Sequence, residues 1–292
     1  MKWVVALDLG ARSSGAIRFA HWLAAMEPDP RFIGVHVLEQ EHLLAVLRDH
    51  HLDEVLTGAR KAAEASVAGE GASSAVVAVD VVQALNAPEG LRDSATRLNA
   101  DGILLGRAAP REGGGLVRLG RVARRLLRIT TLPVIVVPPD MKEADFGGDG
   151  PVIALTDLED GSVEPCRFAQ KMARALRRPL VVAHAVEESS VAAVQYVAVT
   201  TLERISAERL AEASSALSAW IAGVGLQPDG TEILSGNVVD EATAFASRRR
   251  AALVVAGSRH ASTLERLLLA STASELAAAA TRPVAIVPPP RA

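Results

Sequence analysis

Gly257, Ser258 and Arg259 stand in a row after the apolar run 253–256, close to the end of the chain. That order suits a turn that cradles phosphate. Glycine lets backbone N–H groups approach an anion closely, and the hydroxyl and guanidinium beside it are further donors. A helical pattern follows from Ser271 and Thr272. The free N–H groups of a helix N-terminus would complete an anion cradle there. Yet His260 and Ala270 stand where such a loop is expected to use glycine. The residues leave two readings open, a nucleotide site or the remains of one.

The elements that must position this loop are written twice in the chain. "VVALDLGARSSGAIRFAHWLA" (4–24) aligns without gaps on "IALTDLEDGSVEPCRFAQKMA" (153–173). "IGVHVLEQE" (33–41) matches "VVAHAVEES" (181–189), with His36 on His184 and Val37 on Ala185. "ADGILLGR" (100–107) matches "AALVVAGSR" (251–259), and "LPVIVVPP" (132–139) matches "RPVAIVPP" (282–289). Ordered matches at one near-constant offset mark an internal duplication. Domains are therefore expected at 1–140 and 151–292. The Pro-, Gly- and acid-rich stretch 138–151 reads as a linker rather than an element, with the linker proper at 141–150.

Each copy alternates short β-branched runs with helical-period segments. Strands are expected near 3–7, 32–38, 75–82, 102–105 and 134–137, and again near 152–155, 180–186, 232–235, 253–256 and 284–287. Several are continuously apolar, the mark of parallel strands covered on both faces. Between them lie segments such as 202–221, apolar at helical spacing. The predicted fold class is α/β, two tandem doubly wound domains, each a five-stranded, mostly parallel sheet flanked by helices. Ligands in such sheets sit beyond the carboxyl ends of the strands. Asp8, Asp157, Gly106 and Gly257 fall at those ends. The last strands, 134–137 and 284–287, would leave apolar edges unpaired, so the copies are expected to associate antiparallel through them, as an internal pseudo-dimer. A homodimer of the whole chain is compatible with this.

Composition excludes several classes. The net charge is -3 and aromatics are 3% of the 292 residues, which argues against nucleic acid as a partner. No apolar run reaches the ~20 residues that cross a bilayer, and no signal core is visible, so a cytoplasmic protein without membrane partners is expected. The single cysteine, Cys166, excludes an intrachain disulfide framework and fits a reducing compartment.

On these features the chain resembles the universal stress protein family in its tandem two-domain form. The resemblance rests on a first strand ending in Asp8, on "VHV" (35–37), on "ADGILLGR", and on the endings "GRVARRLLRITTLPVIVV" (120–137) and "STASELAAAATRPVAIVPP" (271–289). It implies a stress-response regulator with an unknown protein partner. In the ATP-binding branch the last loop reads glycine, two residues, glycine, nine residues, then glycine with serine or threonine. The second half keeps that spacing with Gly257, His260, Ala270 and Ser271 but lacks two glycines. The first half has Gly106, Arg107, Ala109, ten residues, then Gly120 and Arg121. Asp8 is implied to meet a ribose or adenine edge, and Val37 to offer backbone groups to the base. In the second half Thr156 and Asp157 compete for the aspartate's place. The resemblance thus implies weak or degenerate binding of ATP or another adenine nucleotide, better kept in the first half, with Mg2+ only alongside nucleotide. The alternative is an interaction module of the same fold that binds no nucleotide.

Arg121 has two readings. A cation in the first helical turn opposes the helix dipole, so it either binds phosphate or occupies the phosphate's position. With Arg118, Arg124, Arg125 and Arg128 it otherwise forms a solvated basic face. Arg248, Arg249 and Arg250 read as a charged helix end. His36 and His184 read as structural. His42, His50 and His51 lack metal-ligand spacing. No nucleophile–base pair is apparent, nor the Ser-Gly-Gly-x-Asp-Ser loop of adenylating and pyrophosphatase enzymes of the related fold, so no enzyme beyond a very slow ATPase is expected.

Overall fold

A computed structural model describes residues 1–26, 30–46, 51–108, 119–186, 199–258 and 272–289. The first half contains β1 (Lys2–Leu7), α1 (Ala11–Met26), β2 (Arg31–Glu39), α2 (Gln40–Val46), α3 (Leu52–Gly69), β3 (Val76–Ala84), α4 (Ala87–Arg97), β4 (Gly102–Gly106), α5 (Arg121–Ile129) and β5 (Val134–Val137). After α6 (Glu143–Phe146) the second half repeats the plan with β6 (Val152–Thr156), α7 (Val163–Leu176), β7 (Leu180–Val186), α8 (Val199–Val224), β8 (Gly230–Ser235), α9 (Val238–Arg248), β9 (Leu253–Gly257), α10 (Thr272–Ala279) and β10 (Val284–Val287). All ten expected strands form, the central ones as short apolar runs buried between helical layers and the edge strands β3 and β8 partly exposed. β5 and β10 are buried at every position.

The strands make one sheet in the order β3-β2-β1-β4-β5-β10-β9-β6-β7-β8. Every pairing within a half is parallel. The halves join where β10 meets β5 antiparallel, with Val284 opposite Val136, Ala285 opposite Ile135 and Ile286 opposite Val134. The expected association through the last strands is therefore present, and it removes two apolar edges. One core layer holds α1, α3, α7 and α8, through Ile17, Phe19, Val67, Met172 and Leu217. The other holds α4, α5, α9 and α10, through Leu91, Leu126, Phe245 and Leu276. Both layers run across the junction of the halves, so the antiparallel seam is packed on each face.

The reading of 138–151 as linker alone needs correction. Residues 143–146 form a helical turn, and the segment straps across α1. Phe146 is buried with its ring 5.3 Å from Phe19 and 5.7 Å from Trp22. Arg18 donates from Nε to the Met141 carbonyl at 2.7 Å, and Arg282 of the second half donates to the Asp145 carbonyl at 2.8 Å. The apolar Met141 and Phe146, isolated among acids and glycines, supply the burial that fixes the strap.

Candidate functional site

In each half the chain reverses its winding direction between the first strand and its neighbour, β1 beside β4 and β6 beside β9. That switch point is where doubly wound sheets open a crevice. Asp8 and Asp157 follow β1 and β6 directly, and Gly106 and Gly257 end β4 and β9.

Both aspartates build the same turn. The Ser13 hydroxyl lies 2.7 Å from Asp8 Oδ1, and Oδ1 also accepts from the Gly10 N–H at 2.9 Å. The Asp8 N–H in turn points at Ser13 Oγ, 3.3 Å away. In the second half Ser162 stands 2.7 Å from Asp157 Oδ1, which accepts from the Glu159 N–H at 3.1 Å. Leu9 and Leu158 hold left-handed backbone at φ 60° and 67°, a conformation that costs a leucine about 1 kcal/mol. The turn settles the ambiguity at the second aspartate: Asp157 is the counterpart of Asp8, while Thr156 closes β6. Ser13 and Ser162 were not singled out from sequence. Their signal was the shared Asp-x4-Ser spacing of "DLGARS" and "DLEDGS".

Val37 lies one residue past the end of its pairing with β1, whose last pair is Leu7 with His36. Its backbone edge toward β1 is therefore free of that ladder. Ala185 holds the same place past Thr156–His184. His36 Nδ1 is 2.9 Å from the Leu7 carbonyl, and His184 Nδ1 is 2.9 Å from that of Thr156. Both imidazoles close the strand end, in line with their structural reading.

The glycines divide into two kinds. A Cβ on Gly106 would overlap the carbonyl oxygen of Arg12, so this glycine lets the end of β4 meet the first turn of α1. Gly257 is looser, with Pro165 Cγ 3.0 Å from a Cβ placed there. Gly120 has nothing within 4 Å of such a Cβ and sits at φ -58°. It is exposed and caps α5 without a side-chain hydrogen bond among the described residues. Arg121 is exposed at that first turn, and Arg124, Arg125 and Arg128 are exposed beyond it. Arg125 pairs with Glu89 at 2.7 Å; the Asn86 side chain, ahead of Arg125, holds the Glu89 carboxyl below its ordinary value. The described arginines thus form the solvated basic face. Arg248 and Arg249 end α9 against the Phe245 ring.

Arg107 is placed differently from its assignment as a nucleotide ligand. It is 6% exposed, and its guanidinium donates to the Ala280 carbonyl at 2.8 Å, in the other half. Ala280 follows the last turn of α10, so the cation meets the negative end of that helix. Burial lowers the guanidinium's proton affinity, with the Asp140 charge acting against it. Ser258 occupies the corresponding place after Gly257: its N–H bonds Val287 as that of Arg107 bonds Val137. Its hydroxyl is buried and has no partner. Thr272 is exposed as the first residue of α10. Ala109, Arg118, Arg259, His260, Ala270 and Ser271 lie outside the described residues, as does His50. Among the described residues no cluster of His, Cys, Asp and Glu suits a metal, and no helix is long and apolar enough to cross a membrane.

Cys166 is buried behind Asp157, and burial first, then that carboxylate, pushes its thiol up to about 12. The native protein should resist iodoacetamide at pH 8, and react fully once unfolded. Linkage has the matching sign. The folded state keeps a proton that the unfolded thiol loses near 9, so this contribution to stability falls as pH rises from 9 toward 12. Rapid native alkylation would contradict the burial.

Two parallel α/β halves, joined by their last strands and carrying one turn at each switch point, define a tandem, pseudo-symmetric protein. The universal stress protein family matches it twice, over residues 1–138 and 150–288, and the chain belongs to that family. Over its length it is similar to a universal stress protein of Archaeoglobus fulgidus DSM 4304 (15% identity, 98% of each chain, TM-score 0.64). It is also similar to a protein of unknown function from Pseudomonas aeruginosa PAO1 (14% identity, 99% of this chain and 92% of that one, TM-score 0.63). A universal stress protein solved in complex with cAMP matches 48% of this chain over 98% of its own, at 23% identity and TM-score 0.36. A search of curated proteins finds no match.

Proposed function

We propose that this tandem universal stress protein is a nucleotide-responsive regulator whose adenine-nucleotide binding is weak and confined to the first half. The observation that carries the reading is Gly120. It is exposed and opens α5 with no side-chain cap bond among the described residues, on the carboxyl side of the sheet, and a helix N-terminus there is the chemistry that receives a phosphate. Asp8 Oδ2 takes no part in the Ser13 turn and is available to a ribose or adenine edge. The unladdered backbone of Val37 suits the base, and Arg121 supplies charge at the helix start. Mg2+ enters only with the nucleotide. The domains are taken as 1–140 and 151–292, about the 141–150 connection.

A second reading, an interaction module without nucleotide, is favoured by one observation. Both Asp8 and Asp157 commit a carboxylate oxygen to starting a helix, a purely structural task. Calorimetry of the full chain with ATP separates the readings. One weak site per chain is expected, weakened about tenfold by Arg121→Ser, because a charge-assisted contact is about twice as strong as a neutral one. Tighter binding by that variant would make Arg121 an occupant of the phosphate position. No binding at millimolar ATP, with no nucleotide released on denaturation, would favour the second reading.

A further inference from the structure

Among the described residues the strap over α1 has no counterpart over α7. In the first half the groove between α1, Pro138–Pro139 and the second half's Arg282 is filled by Met141 and Phe146. Arg18 reaches the carbonyls of Met141 and Pro139, and Phe19 and Trp22 are buried beneath. The duplication places Arg167, Phe168 and Lys171 of α7 where Arg18, Phe19 and Trp22 stand, and Pro288 and Pro289 where the earlier prolines stand. There, with Thr131 and Pro133 from the first half, they line an open groove of about 370 Å³. No described residue takes the place of Met141 or Phe146. The Arg167 side chain is 58% exposed, against 24% for Arg18, and its recorded partner is its helix neighbour Glu164 at 2.8 Å.

We propose that this groove docks an extended acidic segment of a partner protein, one that carries a methionine or an aromatic side chain. Two features define that occupant. The symmetry-related groove holds such a segment, "PPDMKEADF", whose carbonyls meet Arg18 and whose two apolar side chains fill the space. The open groove also presents two cations, as the filled one does: Lys171 stands where Trp22 does while Leu132 stands where Arg282 does, and the contacts of Arg167 with Glu164 at 2.8 Å and of Lys171 with Asp101 at 3.9 Å are ones an acidic segment would exchange for its own. Phe168, half-buried at the floor, offers the apolar surface that Phe19 gives Phe146. This site lies on the α7 face beside the end of β10, away from the first half's switch point, and does not depend on nucleotide.

The test uses a fluorescein-labelled synthetic peptide with the sequence of residues 138–147 and the intact protein, read by anisotropy. Saturable binding at one peptide per chain is expected. Arg167→Ala and Lys171→Glu, both on exposed side chains, should each weaken it about tenfold, the loss of a charge-assisted contact. Replacing the peptide's methionine and phenylalanine by serine should abolish it. Equal binding of a scrambled peptide, or dependence on Arg18 in place of Arg167, would overturn the proposal. Two further results would reassign the occupant. If the peptide dissolves self-association seen by sedimentation at the same concentrations, a second copy's strap fills the groove. If ending the chain after Pro289 raises affinity tenfold, the chain's own last residues do.

Discussion

Arg107→Ala is expected to lower the stability of the protein by about 3 kcal/mol, the scale of removing one partner from a buried charged contact. The guanidinium is the donor to the Ala280 carbonyl, which is buried where α10 ends. Without it the carbonyl keeps its desolvation penalty and the negative end of the helix loses its cation. A buried cation is itself costly, and the unpartnered Nε of Arg107 adds to that cost. Arg107→Met, which restores volume without charge, should therefore recover part of the loss. Urea denaturation at fixed protein concentration measures both. A change under about 0.5 kcal/mol for the alanine variant would show that the contact contributes nothing net.

Gly106→Ala and Gly120→Ala should separate sharply, although sequence gives the two glycines the same task. An added methyl at 106 overlaps the Arg12 carbonyl, and backbone cannot step aside as a side-chain tip can. The end of β4 or the start of α1 must shift, at a cost of about 3 kcal/mol. At 120 the methyl meets open space at an ordinary φ, and the cost is that of alanine at a helix N-cap, within about 1 kcal/mol. Nucleotide-free denaturation curves show the stability difference, and ATP calorimetry on the Gly120 variant then reports the phosphate role alone. Equal destabilisation by both substitutions would refute the distinction.

The central strands were legible because each is a local property: a short apolar run flanked by turn residues, repeated at a fixed offset. Their pairing at β5 and β10 was legible for a related reason, since an apolar last strand with no further partner in its own half must find one elsewhere. The α6 turn was hidden. Four residues carry no period, and the prolines and glycines around it read as breaks. What fixes it is Phe146 meeting Phe19 and Trp22, a contact between distant parts of the chain. The contact of Arg107 was hidden because its position after Gly106 matches a phosphate loop, whereas the Ala280 carbonyl it meets lies 173 residues away. Asp8 was only half read. Its place at the strand end was visible, but its bond to Ser13 required the left-handed Leu9 that brings them together.

Joining the halves in one polypeptide also changes how the two sites can diverge. In a symmetric homodimer every substitution appears twice, so a histidine in one phosphate loop spoils both. Here Arg107 has Ser258 as its counterpart in the other half, and Trp22 is answered by Lys171, each change falling on one side only. The β5–β10 seam allows this freedom because the copies meet at a local concentration set by the tether rather than by expression level. Dilution cannot part them, so one half is able to lose an ancestral task, or acquire a new one, while its twin preserves the shared sheet.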